Sequence, residues 1–270
     1  MTCKKSGYLT LPAITILLSA WFTAYPGHAA ELDRTVPVIG IIIDDIGYRV
    51  REDLRAISIP GSIAYAIMPH SPHARAMSEL ALKNGKIVLV HLPMEAIIKE
   101  KNRFLGPGAL ILDMTRDQFV NTLQSNLRSL PEAVGVNNHM GSLLTQHPGH
   151  MKWLMDILNQ NSKFYIDSVT SRESVASDIA REKNVPYLRR DVFLDNIKEV
   201  PYIQAQLQEL IRVAKRRGSA IGIGHPHPET IQVLTSELQH VENYGVRLVS
   251  LEELVKPRAR GFAHTMSLSN

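Results

Sequence analysis

The chain has 270 residues, which is enough for one large domain or two small ones. Apolar residues make up 44% of it and charged residues 21%, as in a globular protein that buries a full core, and no long disordered segment is indicated. The formal net charge is +4 and no dense run of Lys and Arg occurs, so the composition argues against a nucleic-acid-binding protein.

The N-terminus predicts a secretory signal peptide over residues 1–29. Lys4 and Lys5 precede an apolar stretch over residues 8–25, and the helix breakers and small residues of "PGHAA" follow it. Cleavage after Ala29 would give a periplasmic or secreted protein with no stable membrane span. The alternative is an uncleaved membrane anchor, because the apolar stretch is nearly long enough to span a bilayer. Cys3 is the only cysteine, so the exported chain would depend on its core and not on disulfides.

A single domain is predicted over residues 36–256, followed by a C-terminal tail over residues 257–270. Short β-branched runs predict strands at residues 38–43, 63–67, 87–90, 133–136, 164–166, 186–189, 220–224 and 246–250. Amphipathic stretches between most of these runs predict helices over residues 74–83, 115–130, 150–161, 174–183, 201–217 and 229–244. Nearly continuous apolar strands are typical of parallel sheets buried on both faces. The alternation therefore predicts an α/β fold, either a (β/α) barrel or an open doubly wound sheet.

Local signals sharpen this pattern at several points. The helix over 115–130 begins with Thr115-x-x-Gln118, which is a capping-box pattern. "AKRRG" is read as the cationic end of a helix that Gly218 closes. No G-x-G-x-x-G follows the first strand, so a dinucleotide site is not supported. Residues 94–114 form the longest connection without clear periodicity, and such a loop is often functional.

Polar residues cluster where the predicted strands end. In parallel α/β folds these carboxyl ends meet on one side of the molecule, where ligands bind. Six or seven of the connections bring Asp, His or Glu to this side, in the segments "IDD", "MPHSPH", "HLPME", "NNHMGS", "DS", "RRDVFLD" and "GHPHPE". Carboxylates and neutral imidazoles suit zinc, and three such ligands with one open position form a catalytic arrangement. A second carboxylate beside a ligand carboxylate can act as a general base, which gives the adjacent pair Asp44 and Asp45 a rationale.

Each of these residues also has an ordinary structural role open to it. The pair Asp44 and Asp45 could be a helix N-cap followed by a first-turn acid. His91 could satisfy a buried backbone group. The other polar residues could be turn, capping or exposed loop residues: Asn137, Asn138, Asp167, His225 and His227.

Taken together, "IIIDDIGY", "HLPME", "GVNNHMGS", "FYIDS", "RRDVFLDN" and "AIGIGHPHPET" resemble the divergent branch of the polysaccharide deacetylases, which carry the NodB homology domain. The resemblance covers about residues 36–255. It implies a distorted (β/α) barrel of seven to eight mostly parallel strands with surrounding helices. It also implies a divalent metal, usually zinc, and hydrolysis of an N- or O-acetyl group on an envelope, extracellular or peptidoglycan-type glycan.

The resemblance also implies roles for particular residues. The first Asp of the family's double-Asp motif is the general base, which falls on Asp44, and the second is a metal ligand, which falls on Asp45. The first metal-binding His falls on His91. The strand-end His that acts as general acid in the family falls on His225.

The chain departs from the family's pattern at the second metal-binding His. Glu95 stands four residues after His91, at the place where that His is missing. His139 lies in the loop that replaces an Arg-Pro-Pro-Tyr-like motif and is the expected third ligand, with Glu95 as the competing candidate. "HSPH" at residues 70–73 looks more like the family's His motif, but it follows the second strand and has a different spacing.

Other polar residues of the strand ends are expected to orient the catalytic groups or to bind substrate: Glu95, Asn138, Asp167, Arg190, Asp195 and His227. Two other functions stay open on the sequence alone. One is a non-catalytic glycan-binding or envelope-assembly protein that keeps the barrel without turnover. The other is a metal-dependent hydrolase of a different C–N bond, such as a peptidoglycan amide.

Overall fold

Strands and helices alternate along the part of the chain that the structure, a computed structural model, describes: residues 1–2 and 36–256. The strands are β1 (Val38–Ile46), β2 (Ile63–Ile67), β3 (Ile87–Met94), β4 (Gly135–Met140), β5 (Phe164–Asp167), β6 (Tyr187–Arg189), β7 (Val192–Phe193), β8 (Ser219–Gly224) and β9 (Arg247–Leu248). The helices are α1 (Val50–Ile57), α2 (Ala74–Lys83), α3 (Arg116–Ser129), α4 (Pro148–Gln160), α5 (Ala176–Glu182), α6 (Val200–Arg217) and α7 (Pro228–Glu237). Shorter 3-10 helices cover Lys99–Phe104, Leu144–Gln146 and Leu238–Tyr244, and residues 251–256 are helical. The predicted tail and, beyond residue 2, the predicted signal peptide lie outside the described residues.

The described strands form one sheet in which every pairing is parallel. The order is β6-β5-β4-β3-β2-β1-β8-β7, and β9 pairs with the first residues of β1. Helices connect most of the successive strands, as parallel pairing requires. The fold is therefore an α/β distorted barrel surrounded by helices, which confirms the prediction.

The apolar runs of the strands are buried on both faces. Along β1, Ile41 and Ile43 pack in the layer that the sheet shares with the helices, whereas Ile42 belongs to a second cluster. The buried residues of that second cluster come from strands and from residues 249–254, so it fills the inside of the barrel. Full burial of one such Ile side chain stabilises the fold by about 1.5–3 kcal/mol. A strand with this environment on both faces has no polar face, which explains the continuous apolar runs.

The barrel does not close by strand pairing between β6 and β7. The N–H of Arg190 donates to the carbonyl of Asp167 in β5 (3.0 Å), and the N–H of Asp191 donates to the carbonyl of Ile221 in β8 (2.9 Å). The chain thus passes from one end of the sheet to the other between two consecutive residues. This crossing leaves an opening beside β6 and β7 that forms part of the candidate site described below.

The helix signals agree with the structure where they are strongest. Thr115 and Gln118 form the predicted capping box at the start of α3, and Gly218 ends α6 with a φ of +83°. The predicted helix over 229–244 instead divides into α7 and the 3-10 helix that follows it. Helix α1 and strand β7 were not predicted, whereas the equally short α5 and β9 were, because longer patterned stretches of the sequence surround them. Among the described residues, no helix is both long and apolar enough to cross a membrane.

Candidate active site

Strand β1 places two adjacent carboxylates on the same side because its regular strand geometry is interrupted near its end. In a regular strand, neighbouring side chains point to opposite faces. The pairing of β1 with β2 shifts register between Ile43 and Ile46, and Asp45 adopts a φ of +60°. This irregularity turns Asp45 so that both Asp44 and Asp45 face His91, with carboxylate oxygens 3.7 and 3.2 Å from its Nε2. The capping interpretation of the acidic pair is wrong, because helix α1 begins later, after Arg49.

Asp45, His91 and His139 bring three potential ligand atoms together. Asp45 Oδ1 lies 3.2 Å from His91 Nε2 and 3.0 Å from His139 Nδ1, and the two nitrogen atoms are 3.2 Å apart. Each residue comes from the carboxyl end of a different strand, β1, β3 and β4. Parallel pairing of β3 with β4 sets Pro93 opposite His139, which holds the second imidazole near the first.

Asn137 fixes the chemical form of His91. Its side-chain N–H donates to Asp44 Oδ1 at 2.8 Å, so its carbonyl oxygen faces His91 Nδ1, also at 2.8 Å. Nδ1 must therefore carry the proton, which leaves a lone pair on Nε2 when the ring is neutral. Asn137 thus links Asp44 to His91, although the sequence offered no signal beyond its position next to Asn138.

The three potential ligand atoms are arranged as expected for ligands of a divalent cation, and less well as hydrogen-bond partners of one another. Asp45 Oδ1 is buried and has no hydrogen-bond partner of good geometry among the described residues. Zinc bound at about 2.0–2.2 Å in tetrahedral geometry has its ligand atoms roughly 3.3 Å apart. The observed separations match that spacing, and one carboxylate with two imidazoles is a donor set that zinc accepts.

The two carboxylates have opposite electrostatic environments. Burial raises the pKa of Asp44, and the charges of His91 and His225 offset this only in part. Burial would also raise the pKa of Asp45, but the close imidazoles of His139 and His91 outweigh it and hold this pKa well below its usual value. Asp45 is thus the carboxylate that stays ionised, as a metal ligand must, and Asp44 is the one that takes up a proton more readily.

His225 and Asp195 form a hydrogen-bonded pair next to the acidic residues. His225 Nδ1 donates to Asp195 Oδ1 at 2.9 Å, and the backbone N–H of His225 donates to Oδ2 at 2.6 Å. The hydroxyl of Thr230 donates to the same Oδ2 at 2.8 Å. Burial lowers the pKa of His225, but the hydrogen bond to Asp195 and the nearby carboxylates outweigh it and raise this pKa to about 9. His225 is therefore protonated at neutral pH, and its Nε2 lies 3.8 Å from Asp45 Oδ2.

The other predicted site residues take more varied positions. Glu95 accepts a hydrogen bond from the N–H of Leu112 at 2.7 Å and is not in the group of ligand atoms, so the geometry favours His139 as third ligand. Asn138 accepts from Tyr165 and from the N–H of Ser168, which joins the ends of β4 and β5.

Two more predicted residues, Asp167 and His227, lie after strands β5 and β8. Asp167 accepts from the N–H of Val169 and from Ser174, so it orders the loop after β5 and is not a helix cap. His227 lies near His225, and with Asp195 these residues form a second group that could hold a metal by distance alone. The oxygens of Asp195 are already used by the hydrogen bonds described above. The "HSPH" histidines belong to neither group of potential ligands found in the described residues.

A cavity of about 630 Å³ lies next to the potential ligand residues and His225. Asp44, His91, His139 and His225 line its inner end. The remainder comes largely from the crossing between β6 and β7 and from α6, namely Arg190, Asp191, Val192, Phe193, Asn196, Tyr202, Gln206 and Glu209. The sequence had singled out only Arg190 of this second group, because no motif marks a wall that distant segments build together.

The fold and the site define a deacetylase-like barrel with residues suited to a divalent metal. Residues 41–255 match the family described as divergent polysaccharide deacetylase, and the chain belongs to this family. An uncharacterised protein of Haemophilus influenzae is 38% identical over 216 residues, which are 80% of this chain and 76% of that protein.

Solved structures share the fold. The crystal structure of an uncharacterised protein from Agrobacterium tumefaciens matches with a TM-score of 0.77 at 20% identity, over 81% of this chain and 89% of that one. A CE4 family pseudoenzyme from Bacillus anthracis matches with a TM-score of 0.51 at 12% identity, over 82% of this chain and 66% of that one. At these identities the likeness concerns the fold alone.

Proposed function

We propose that this protein is an exported, metal-dependent hydrolase that removes acetyl groups from an envelope or extracellular polysaccharide. The observation that carries the proposal is the difference between the environments of the two aspartates at the end of β1. One aspartate lies with two imidazole nitrogens at ligand spacing, and the other lies beside them, buried and with a raised pKa. A protonated histidine completes the set. Membership of the divergent polysaccharide deacetylase family supports the choice of an acetylated glycan as substrate.

Asp45, His91 and His139 would hold the cation, and zinc is the one we expect from their chemistry. When bound, the cation would polarise the acetyl carbonyl and lower the pKa of a nearby water. Asp44 would take the proton from the attacking water, and the hydrogen bond from Asn137 keeps its carboxylate oriented for this.

His225 would supply the second proton of the reaction. Water adds its oxygen to the acetyl carbon, and the bond from that carbon to the sugar nitrogen or oxygen breaks. The leaving atom then needs a proton, which His225 Nε2 can give because Asp195 holds the imidazolium through Nδ1. The products are acetate and a free amine or hydroxyl on the glycan. The signal-peptide pattern supports a periplasmic or secreted location for this reaction.

Acetate release from a panel of acetylated glycans, with and without chelator, tests the proposal. We expect chelator to abolish release and zinc to restore it. Asp44→Asn should lower kcat by about 10²–10⁴-fold, the usual contribution of a general base, while zinc content stays unchanged. Asp113→Asn, at an exposed position, is the matched control and should leave both unchanged.

Two outcomes would contradict the proposal, and each would identify a different function. Saturable glycan binding with no acetate release, unaffected by Asp44→Asn, would identify a non-catalytic glycan-binding or envelope-assembly protein. A cut peptide stem in place of acetate would identify an amidase. Product analysis by mass spectrometry separates these results.

A further inference from the structure

Arg190 is a cation in the cavity wall that makes no direct ion pair with a carboxylate of residues 36–256. Its side chain lines the same cavity as Asp44, His91 and His225. Among the ion pairs of the described residues, none includes Arg190. Burial lowers its pKa, yet an arginine stays charged at any physiological pH.

The guanidinium is held in place by neutral groups. Its Nε donates to the carbonyl of Ser168 at 2.7 Å, and its Nη2 donates to the carbonyl of Val169 at 3.0 Å. Its central carbon lies 5.0 Å from the centre of the Phe193 ring. These contacts use two of the five N–H donors, so both donors of Nη1 and one of Nη2 are left for another partner. The charge is therefore fixed in position, and within the described residues it is not paired directly with a carboxylate.

The acidic residues of the same wall differ in this respect. Asp191 forms an ion pair with Arg217 at 3.0 Å, and Glu209 forms pairs with Arg212 and Arg216. Arg216 and Arg217 belong to the "AKRRG" end of α6, so that basic segment serves to neutralise acids of the cavity wall. Among the described residues, Arg190 is thus the arginine of this wall that forms no direct ion pair, although the charges of Asp167, Asp44 and Asp191 act on it from a greater distance.

We propose that Arg190 forms a subsite for a carboxylate of the glycan, so that the substrate is an acidic polysaccharide. A planar carboxylate can bind the free edge of a guanidinium through two parallel hydrogen bonds. A neutral glycan would leave the charge of Arg190 partly buried and unpaired, which is costly. This inference rests on the proposed function, because it assumes that the cavity binds a glycan.

Direct binding tests the subsite separately from catalysis. Three probes are used with zinc-loaded protein in calorimetry: an oligosaccharide of alternating N-acetylglucosamine and N-acetylmuramic acid, its carboxyl methyl ester, and a neutral chitooligosaccharide of equal length. We expect the acidic probe to bind about tenfold or more tightly than its ester, the range of a charge-assisted hydrogen bond. Free acetate is the fourth probe, since it is also the proposed product.

Variants assign the preference to Arg190. Arg190→Gln should remove the preference for the acidic probe over its ester, and Arg190→Lys should restore only part of it, because Lys lacks the planar fork. Arg189→Gln changes the neighbouring, exposed arginine and should keep the full preference. Circular dichroism and zinc content check that each variant is folded.

The outcomes separate this inference from the proposed function. Equal binding of acidic probe and ester, or a preference that survives Arg190→Gln, would overturn the subsite even if acetate is released. Acetate that displaces the acidic probe at equal concentration would also overturn it, since Arg190 would then bind only the small product. A preference that depends on Arg190 supports the subsite even if no probe releases acetate, a result that would count against the enzyme alone.

Discussion

The Asp45–His91–His139 group and the Asp195–His225 pair lie beside each other, and their three histidines line one cavity, yet their polar atoms are satisfied in different ways. Asp195 accepts hydrogen bonds from an imidazole, a backbone N–H and a hydroxyl. In the other group, Asp45 Oδ1 and His139 Nε2 are buried without a hydrogen-bond partner. Buried polar atoms without partners are rare because each costs about 1–3 kcal/mol.

The difference indicates which role each of the two groups of residues can take in the site. The Asp195–His225 pair is complete within the protein and holds a proton. The Asp45–His91–His139 group sets a carboxylate oxygen and two imidazole nitrogens 3.0–3.2 Å apart, and in the proposed function a cation completes it. Removal of Asp45 should therefore abolish cation binding and also lower the pKa of His225, whereas removal of Asp195 should affect proton retention and leave cation binding in place.

Asp45→Ala should have the largest effect, because it removes the ionised ligand of the cation group. We expect one zinc per chain in the unaltered protein and none in this variant, measured by mass spectrometry of the purified protein. Zinc at 100 times its Kd should stabilise the unaltered protein by about 2.7 kcal/mol in thermal denaturation and should not stabilise the variant. Asp195→Ala is the contrasting variant and should keep the zinc. If Asp195→Ala lost the zinc and Asp45→Ala kept it, the assignment of cation binding to the Asp45–His91–His139 group would be wrong.

Asn137→Ala should have the next largest effect. It removes the acceptor that fixes the proton on His91 Nδ1 and the donor to Asp44. Zinc affinity should fall by about 10–100-fold, as it does when the partner of a ligand histidine is lost. Competition with a chromophoric chelator measures the change, and Asn121→Ala on the surface of α3 is the control. An unchanged affinity would mean that Asn137 does not orient His91.

Asp195→Asn should lower the pKa of His225, which Asp195 helps to raise to about 9. An NMR titration of the His225 ring in metal-free protein measures it. A raised pKa in the folded state stabilises the fold fully below the unfolded value of about 6.5, and this contribution is lost as pH rises through about 9. The variant should therefore lose stability mainly below pH ~9, and its stability should vary less between these pH values. A His225 pKa that stays near 9 in the variant would contradict the pairing.

Thr230→Val should have the smallest effect. It replaces one hydroxyl that donates to the buried Asp195 carboxylate and keeps the shape of the side chain. A hydrogen bond to a charged group contributes about 1.5–3 kcal/mol, and urea denaturation measures the free energy of unfolding. Thr235→Val on the same helix is the control, with an expected change under about 0.5 kcal/mol. Zinc content should not change in either variant.

Much of the fold could be predicted from the sequence. Buried parallel strands have a compositional signature, and six of the eight predicted strands overlap observed strands by three residues or more, while the other two overlap by two residues. The 3-10 end of the last predicted helix and the two-residue strand β7 were not predicted, since no longer patterned stretch of the sequence marks them and tertiary contacts decide them. The clustering of Asp and His at strand ends also followed from the sequence, because parallel strands place their carboxyl ends together.

The sequence by itself determined the barrel, the side of it that carries the site, and the residue types available there. Only the tertiary structure decided which of these residues lie together and which role each can take. The break in β1 turns Asp45 to the same side as Asp44, the pairing of β3 with β4 brings His139 to His91, and Asn137 links both. The crossing between β6 and β7 likewise places Arg190 in the cavity. These are contacts between residues far apart in the chain, and no local pattern of hydrophobicity or spacing encodes them.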